Sequence, residues 1–151
     1  MAAEIRQEHE LPFPIERVWR ALTNASEMSQ WMSMSDIKPV VGHRFRLIDR
    51  SNPHWDGVIT CEVVAVEAPR RLVYTWSTAG FGPHEVEWTL QPTATGTRVR
   101  LRHSGFAPDW VMHAMVARGY ETLFQLLRAF LESGKPQREA YTPTPAQLGG
   151  A

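Results

Sequence analysis

The stretch HEVEWTLQPTATGTRVRLRH, residues 84–103, decides the reading of the fold. His84, Val86, Trp88 and Leu90 alternate with Glu85, Glu87 and Thr89. Beyond the turn residues 92–96, Val99, Leu101 and His103 alternate with Arg98, Arg100 and Arg102. A period of two sends successive side chains to opposite faces, so each run is a strand with one inward and one outward face. Two such runs across a short polar turn make an antiparallel hairpin. Outward glutamates then meet outward arginines, which describes a solvated, salt-bridged sheet face and not a basic patch. Pairing Trp88 with Val99 and Val86 with Leu101 sets His84 opposite His103.

The same alternation extends upstream. Leu72, Tyr74 and Trp76 form the inward set of the preceding strand. Residues 58–67 form a long strand in which Glu62 faces water, so Ile59, Cys61, Val63 and Ala65 point inward. Phe45 and Leu47 alternate with Arg44 and Arg46, after a turn at residues 40–43. At the start, Ile5, Gln7, His9 and Leu11 share one face of a strand. Pro14 suits the first turn of a short helix carrying Ile15, Val18, Trp19 and Leu22. Asn24 or Ser26 caps a second short helix ending at Trp31.

Downstream, Asp109 is a candidate N-cap for a helix over residues 109–133, about 36 Å long at ~1.5 Å per residue. Its expected apolar stripe is Met112, Met115, Val116, Gly119, Leu123, Leu126, Leu127 and Phe130, with Gly134 as the terminating glycine. Residues 135–151 are polar and proline-bearing and read as a flexible C-terminal tail. The order strand, two short helices, about six strands and one long helix is an α+β pattern, with a curved antiparallel sheet of six to seven strands. Its inward face needs a cover, and only the long helix is large enough. Residues 1–134 are expected to form one ligand-binding domain.

Composition narrows the function. The chain has 151 residues, 43 % of them apolar, and 16 Lys+Arg balance 16 Asp+Glu. A neutral chain carries no electrostatic footprint for nucleic acid or an anionic membrane. Cys61 is the single cysteine, so no internal disulfide forms. Residues 1–10 carry Glu4, Arg6, Glu8 and Glu10 with no apolar stretch, and no run reaches the length of a membrane span. A cytoplasmic location is the expectation.

Several local words, in this order, resemble a known group. They are Phe13-Pro14-Ile15-Glu16-Arg17-Val18-Trp19, then Trp31, then Gly42 with Phe45. Cys61-Glu62-Val63 and Pro69-Arg70-Arg71-Leu72-Val73-Tyr74-Thr75-Trp76 follow, then Gly96-Thr97-Arg98-Val99 and His103-Ser104-Gly105-Phe106. The chain resembles the START-like, helix-grip (SRPBCC, Bet v 1-like) superfamily, and within it the activator of heat-shock-protein-90 ATPase homologues. The resemblance implies a deep cavity between sheet and long helix. It also implies apolar ligands such as lipids or polyketides, with some relatives acting as cyclases. The eukaryotic namesake stimulates a chaperone ATPase, in a chain that has another domain.

The inward positions carry the chemistry. Gln7, His9, Cys61, Tyr74, His84 and His103 stand among Trp76 and Trp88 on what should be an apolar wall. A buried polar group costs about 1–3 kcal/mol unless paired, so this concentration points to water or a ligand, or to a part-solvated open end of the sheet. The candidate ligand-binding residues are Trp31, Met32, Met34, Phe45, Trp55, Cys61, Tyr74, Trp76, His84, Val86, Trp88, His103, Phe106, Met115, Gly119 and Leu123. No nucleophile elbow, phosphate loop or zinc-helix motif occurs, and no catalytic residue, metal or cofactor is assigned. The expected partner is a small apolar or aromatic molecule, lipid-like or polyketide-like, bound by a monomer or homodimer. A chaperone-interaction module, or a cyclase or hydrolase-like enzyme in the same cavity, are the alternatives.

Overall fold

The computed structural model describes residues 3–48, 57–78, 81–106 and 110–137. These residues form seven strands and three helices. In chain order they are β1 (Ala3–Leu11), α1 (Ile15–Thr23), α2 (Ala25–Trp31), β2 (Met34–Ser35), β3 (Arg44–Ile48), β4 (Val58–Glu67), β5 (Arg71–Thr78), β6 (Phe81–Pro92), β7 (Thr97–Phe106) and α3 (Trp110–Ser133). One antiparallel sheet runs in the order β1-β7-β6-β5-β4-β3-β2, with α3 across its inner face. Bulges interrupt the ladders near Ala3/Ile5, Val63/Ala65 and Trp76/Thr78. A bulge bends its strand and raises its twist, which helps the sheet curl around the helix.

The local signals act as expected at most joints. Pro14 lies one residue earlier than expected, as the extended N-cap of α1. Asn24, not Ser26, caps α2: its side chain accepts the Glu27 N–H at 3.0 Å. Gly134 ends α3 at φ +69°, a left-handed conformation that glycine adopts without strain. Asp109 lies outside the described residues, as does most of the expected tail. Of that tail, residues 135–137 are described, and the Gln137 N–H donates to the Gln30 carbonyl at 2.8 Å.

Three positions differ from the alternation. The bulge at Val63/Ala65 flips the pleat, so Val66 packs on the core in place of Ala65 and Val64 is exposed. On α3 the buried face is Tyr120, Phe124, Leu127, Phe130 and Leu131. Met115 is 60 % exposed, and a Cβ added at Gly119 meets nothing within 4 Å, so the expected stripe was rotated too far towards these two. The hairpin register is also two residues off: Trp88 pairs with Leu101 and Val86 with His103.

The outer face is charged. Arg98 reaches Glu8 and Glu10, Arg100 reaches Glu8, and Arg71 reaches Glu67 and Glu87. The β7 arginines thus pair mainly with β1 and not with β6. On the β1 side, α3 is fastened by three hydrogen bonds. His113 Nε2–H donates to the Glu4 carbonyl at 3.0 Å and Arg128 to the Glu10 carbonyl at 2.8 Å. Gln7 donates to the Ala117 carbonyl at 3.2 Å.

The turn between β6 and β7 is pressed against the link from β1 to α1. A Cβ at Gly96 would lie 2.1 Å from the Leu11 carbonyl oxygen and 2.8 Å from the Phe13 nitrogen. The neighbouring Thr97 hydroxyl donates to the Phe13 carbonyl at 2.7 Å. Both contacts are backbone, so neither yields cheaply. Gly96→Ala is expected to cost about 1–3 kcal/mol, as overpacking does. A urea midpoint equal to that of the parent protein would contradict the contact.

Candidate functional site

The polar residues of the inner face are paired with one another. Trp88 Nε1–H donates to Tyr74 Oη at 3.1 Å. His84 Nδ1 and His103 Nε2 are 3.0 Å apart, and His103 Nδ1 and Tyr120 Oη 2.8 Å apart. His9 stacks on Phe124 with centroids 3.9 Å apart and lies 3.3 Å from the Gln7 side-chain oxygen. These bonds answer much of the polarity that the sequence left unexplained.

The histidines meet although their strands do not pair them. His84 is opposite Trp76, and His103 is opposite Val86 and Ile5. The two rings touch along the diagonal, which long and aromatic side chains span. Trp76 stacks on His84 at 5.4 Å and 12°, and Phe106 lies 4.5 Å from His84 and 4.6 Å from His103. Gly105 makes room: its φ is +102°, and a Cβ there would lie 3.2 Å from His84 Cα. Residues at the end of β5, the start of β6 and the end of β7 therefore converge at one end of the sheet. His113 joins them from the start of α3, with its ring 5.4 Å from Phe106.

Burial sets the protonation states. It holds the His103 imidazole down to about 3, helped by His84 and His113, and lowers His84 as well. Both rings are neutral at pH 7. Burial pushes the Tyr74 and Tyr120 hydroxyls and the Cys61 thiol up, so all three keep their protons. A buried, protonated thiol is a poor nucleophile.

Trp31, Met32, Phe45, Cys61, Tyr74, Trp76, His84, Val86, Trp88, His103 and Phe106 are all buried, and Met34 and Leu123 half-buried. Trp31 also ties α2 to α1, its Nε1–H donating to the Ala21 carbonyl at 2.9 Å, and it meets Trp88 edge-on at 6.3 Å. Met115 and Gly119 are turned to solvent, and Trp55 lies outside the described residues. The sequence reading missed Tyr120 and Phe124, which touch His103, His9 and Trp88. Their signal was the spacing Tyr120, Phe124, Leu127, Leu131, a helical i, i+4, i+7, i+11 pattern.

The hollows among the described residues include two of note. One, of about 390 Å³, lies on the charged outer face between Arg6, Glu8, Glu87 and Arg102. The other, of about 480 Å³, is a groove between β1 and α3 bordered by Gln7, His9, His113, Ala117 and Glu121. Among the described residues, no three His, Cys, Asp or Glu side chains are grouped to hold a metal. No described helix is long and apolar enough to cross a membrane.

The family profile that matches this fold, over residues 12–132, is the activator of Hsp90 ATPase homolog 1-like protein. The chain belongs to that family. Solved structures support this placement. Protein MLL2253 from Mesorhizobium loti is 36 % identical with a TM-score of 0.79, over 86 % of this chain and 97 % of that one. DynU16, described as a protein in the dynemicin biosynthetic locus, is 30 % identical with a TM-score of 0.78. That match covers 89 % of this chain but 49 % of DynU16, so the chain spans about half of its length. Protein BH1534 from Bacillus halodurans is 29 % identical with a TM-score of 0.73, over 87 % of this chain and 99 % of that one. No functionally curated protein matches the chain.

Proposed function

We propose that this member of the family is a binding protein for a small apolar or aromatic molecule, lipid-like or polyketide-like. The ligand sits against the inner face of the sheet, at the end where Trp76, His84, Phe106 and His113 meet. One observation carries this reading. Tyr74 is 1 % exposed and accepts the Trp88 N–H, yet its own hydroxyl proton has no acceptor among the described residues. The indole N–H of Trp76, a residue 8 % exposed, has no acceptor among the described residues either. A buried donor left unpaired costs about 1–3 kcal/mol, and a ligand bearing a polar atom recovers that cost. Phe45 and Trp88 beside Tyr74, and Phe106 beside His84, supply apolar contact.

The likeness to a protein of a biosynthetic locus agrees with this reading. The protein then works in the cytoplasm on a diffusible compound, as a monomer or homodimer. A thermal-shift screen of lipids and polycyclic aromatic compounds tests it. A bound compound at about one hundred times its Kd stabilises the fold by ~2.7 kcal/mol, a rise on the order of 5–10 °C in Tm for a chain of this size. A panel that leaves Tm unmoved, with no change in tryptophan fluorescence, removes the reading.

A further inference from the structure

The buried polar chain has a direction. Tyr120 Oη, His103 and His84 are linked in series at 2.8 and 3.0 Å, and both imidazoles have two ring nitrogens to assign. Two neutral arrangements satisfy both links. In one, Tyr120 O–H donates to His103 Nδ1, His103 Nε2–H donates to His84 Nδ1, and His84 presents Nε2–H. In the other, both imidazoles carry the proton on Nδ1, so His84 presents a bare Nε2 and Tyr120 only accepts.

The second arrangement leaves the Tyr120 hydroxyl proton with no acceptor. Tyr120 is 5 % exposed, and among the described residues its oxygen bonds to His103 alone. Each arrangement leaves one buried donor unpaired, but only the first can be completed by a ligand. An acceptor at His84 leaves no orphan, whereas a ligand donor at a bare Nε2 still leaves the Tyr120 proton unpaired. The first arrangement ends on His84 Nε2–H. That atom has no partner among the described residues, on a side chain 6 % exposed. Together with the Tyr74 hydroxyl and the Trp76 indole, the site then holds three buried donors and a shortage of acceptors.

We infer that the ligand is a neutral carbonyl compound whose oxygen accepts the His84 Nε2–H at the end of the Tyr120–His103–His84 chain. This rests on the ligand-binding reading above and adds the chemistry of the ligand. A carboxylate would also accept, but among the described residues no Lys or Arg is buried beside these donors to compensate its charge. An uncompensated anion in an aromatic enclosure forfeits its hydration, whereas a ketone, quinone or lactone loses little. His84 is thus a ligand-orienting residue, with His103 and Tyr120 acting through it as positioning residues.

Three naphthalene probes of one shape separate the possibilities: 2-acetylnaphthalene, 2-isopropenylnaphthalene and 2-naphthoate, titrated by quenching of tryptophan fluorescence. The ketone is expected to bind about tenfold tighter than the alkene, the value of one good hydrogen bond, and tighter than the carboxylate. In His84→Phe the ratio of ketone to alkene affinity falls to about one, whatever the change in the two absolute affinities. Equal affinity for ketone and alkene overturns the carbonyl inference but leaves apolar binding standing. No binding of any probe removes both.

A measurement on the unaltered protein guards against a variant that fails to fold. Long-range ¹H–¹⁵N correlation at pH 7 is expected to find His84 and His103 both protonated on Nε2. Protonation of His84 on Nδ1 overturns the inference.

Discussion

Replacing Trp88 with alanine is expected to remove about 3–5 kcal/mol of folding stability. Trp88 has no exposed surface and stands where three elements meet. It touches Trp31 from α2 edge-on at 6.3 Å, and Tyr120 and Phe124 from α3 at 6.4 and 5.7 Å. Its N–H holds the Tyr74 hydroxyl of β5. Alanine would leave a void among four large side chains and strip Tyr74 of its only hydrogen bond among the described residues. A domain of ordinary stability has about 5–15 kcal/mol in total, so the variant sits near the limit of folding. Urea unfolding followed by circular dichroism checks this. Val40→Ala, at a site 59 % exposed, serves as the comparator and should change little. Equal midpoints for the two variants would show that Trp88 is not the keystone of the inner wall.

Acid should destabilise the fold through His103. The imidazole is neutral in the folded protein down to about pH 3, while in the unfolded chain it protonates near its ordinary 6.5. Between those values the unfolded state binds more protons, so stability rises with pH. The contribution is complete above pH 6.5 and is lost as pH falls through the window towards 3. Between pH 7 and pH 4 that loss is on the order of 3 kcal/mol. His84, also lowered by burial, adds to the same trend. His103→Gln removes the titrating group, so its stability should fall less steeply over this window. Carboxylates add a slope common to both proteins, which cancels in the difference. Parallel stability curves for parent and variant between pH 7 and pH 4 would refute the assignment.

The fold was legible because the alternation of strands and the helical spacings are local signals. What failed was relative placement. A slip of two residues keeps every side chain on its own face, so alternation could not distinguish Val86–Leu101 from the observed Val86–His103 pair. The turn could have: the slipped register leaves only Thr93 and Ala94 between the strands. The actual loop runs from Thr93 to Gly96, closed by the Thr93 N–H on the Gly96 carbonyl. The rotation of α3 was lost for another reason. Tyr120 looked no more inward than Gly119 until the phase of Phe124, Leu127 and Leu131 was counted with it. At the site, composition revealed that polar groups faced inward. It did not reveal that Tyr120 would close the chain with the histidines, since that depends on the same rotation.

The three hydrogen bonds between α3 and β1 bear on how molecules of this protein meet in a crowded solution. The outer rim of β1 would otherwise offer backbone groups to any foreign extended segment. Instead the Glu4 and Glu10 carbonyls are occupied by His113 and Arg128, with Gln7 bonded to the helix between them. The opposite rim ends in the two-residue β2. An incoming chain thus finds one side capped and the other too short to template, and polymerisation by strand addition is discouraged at both.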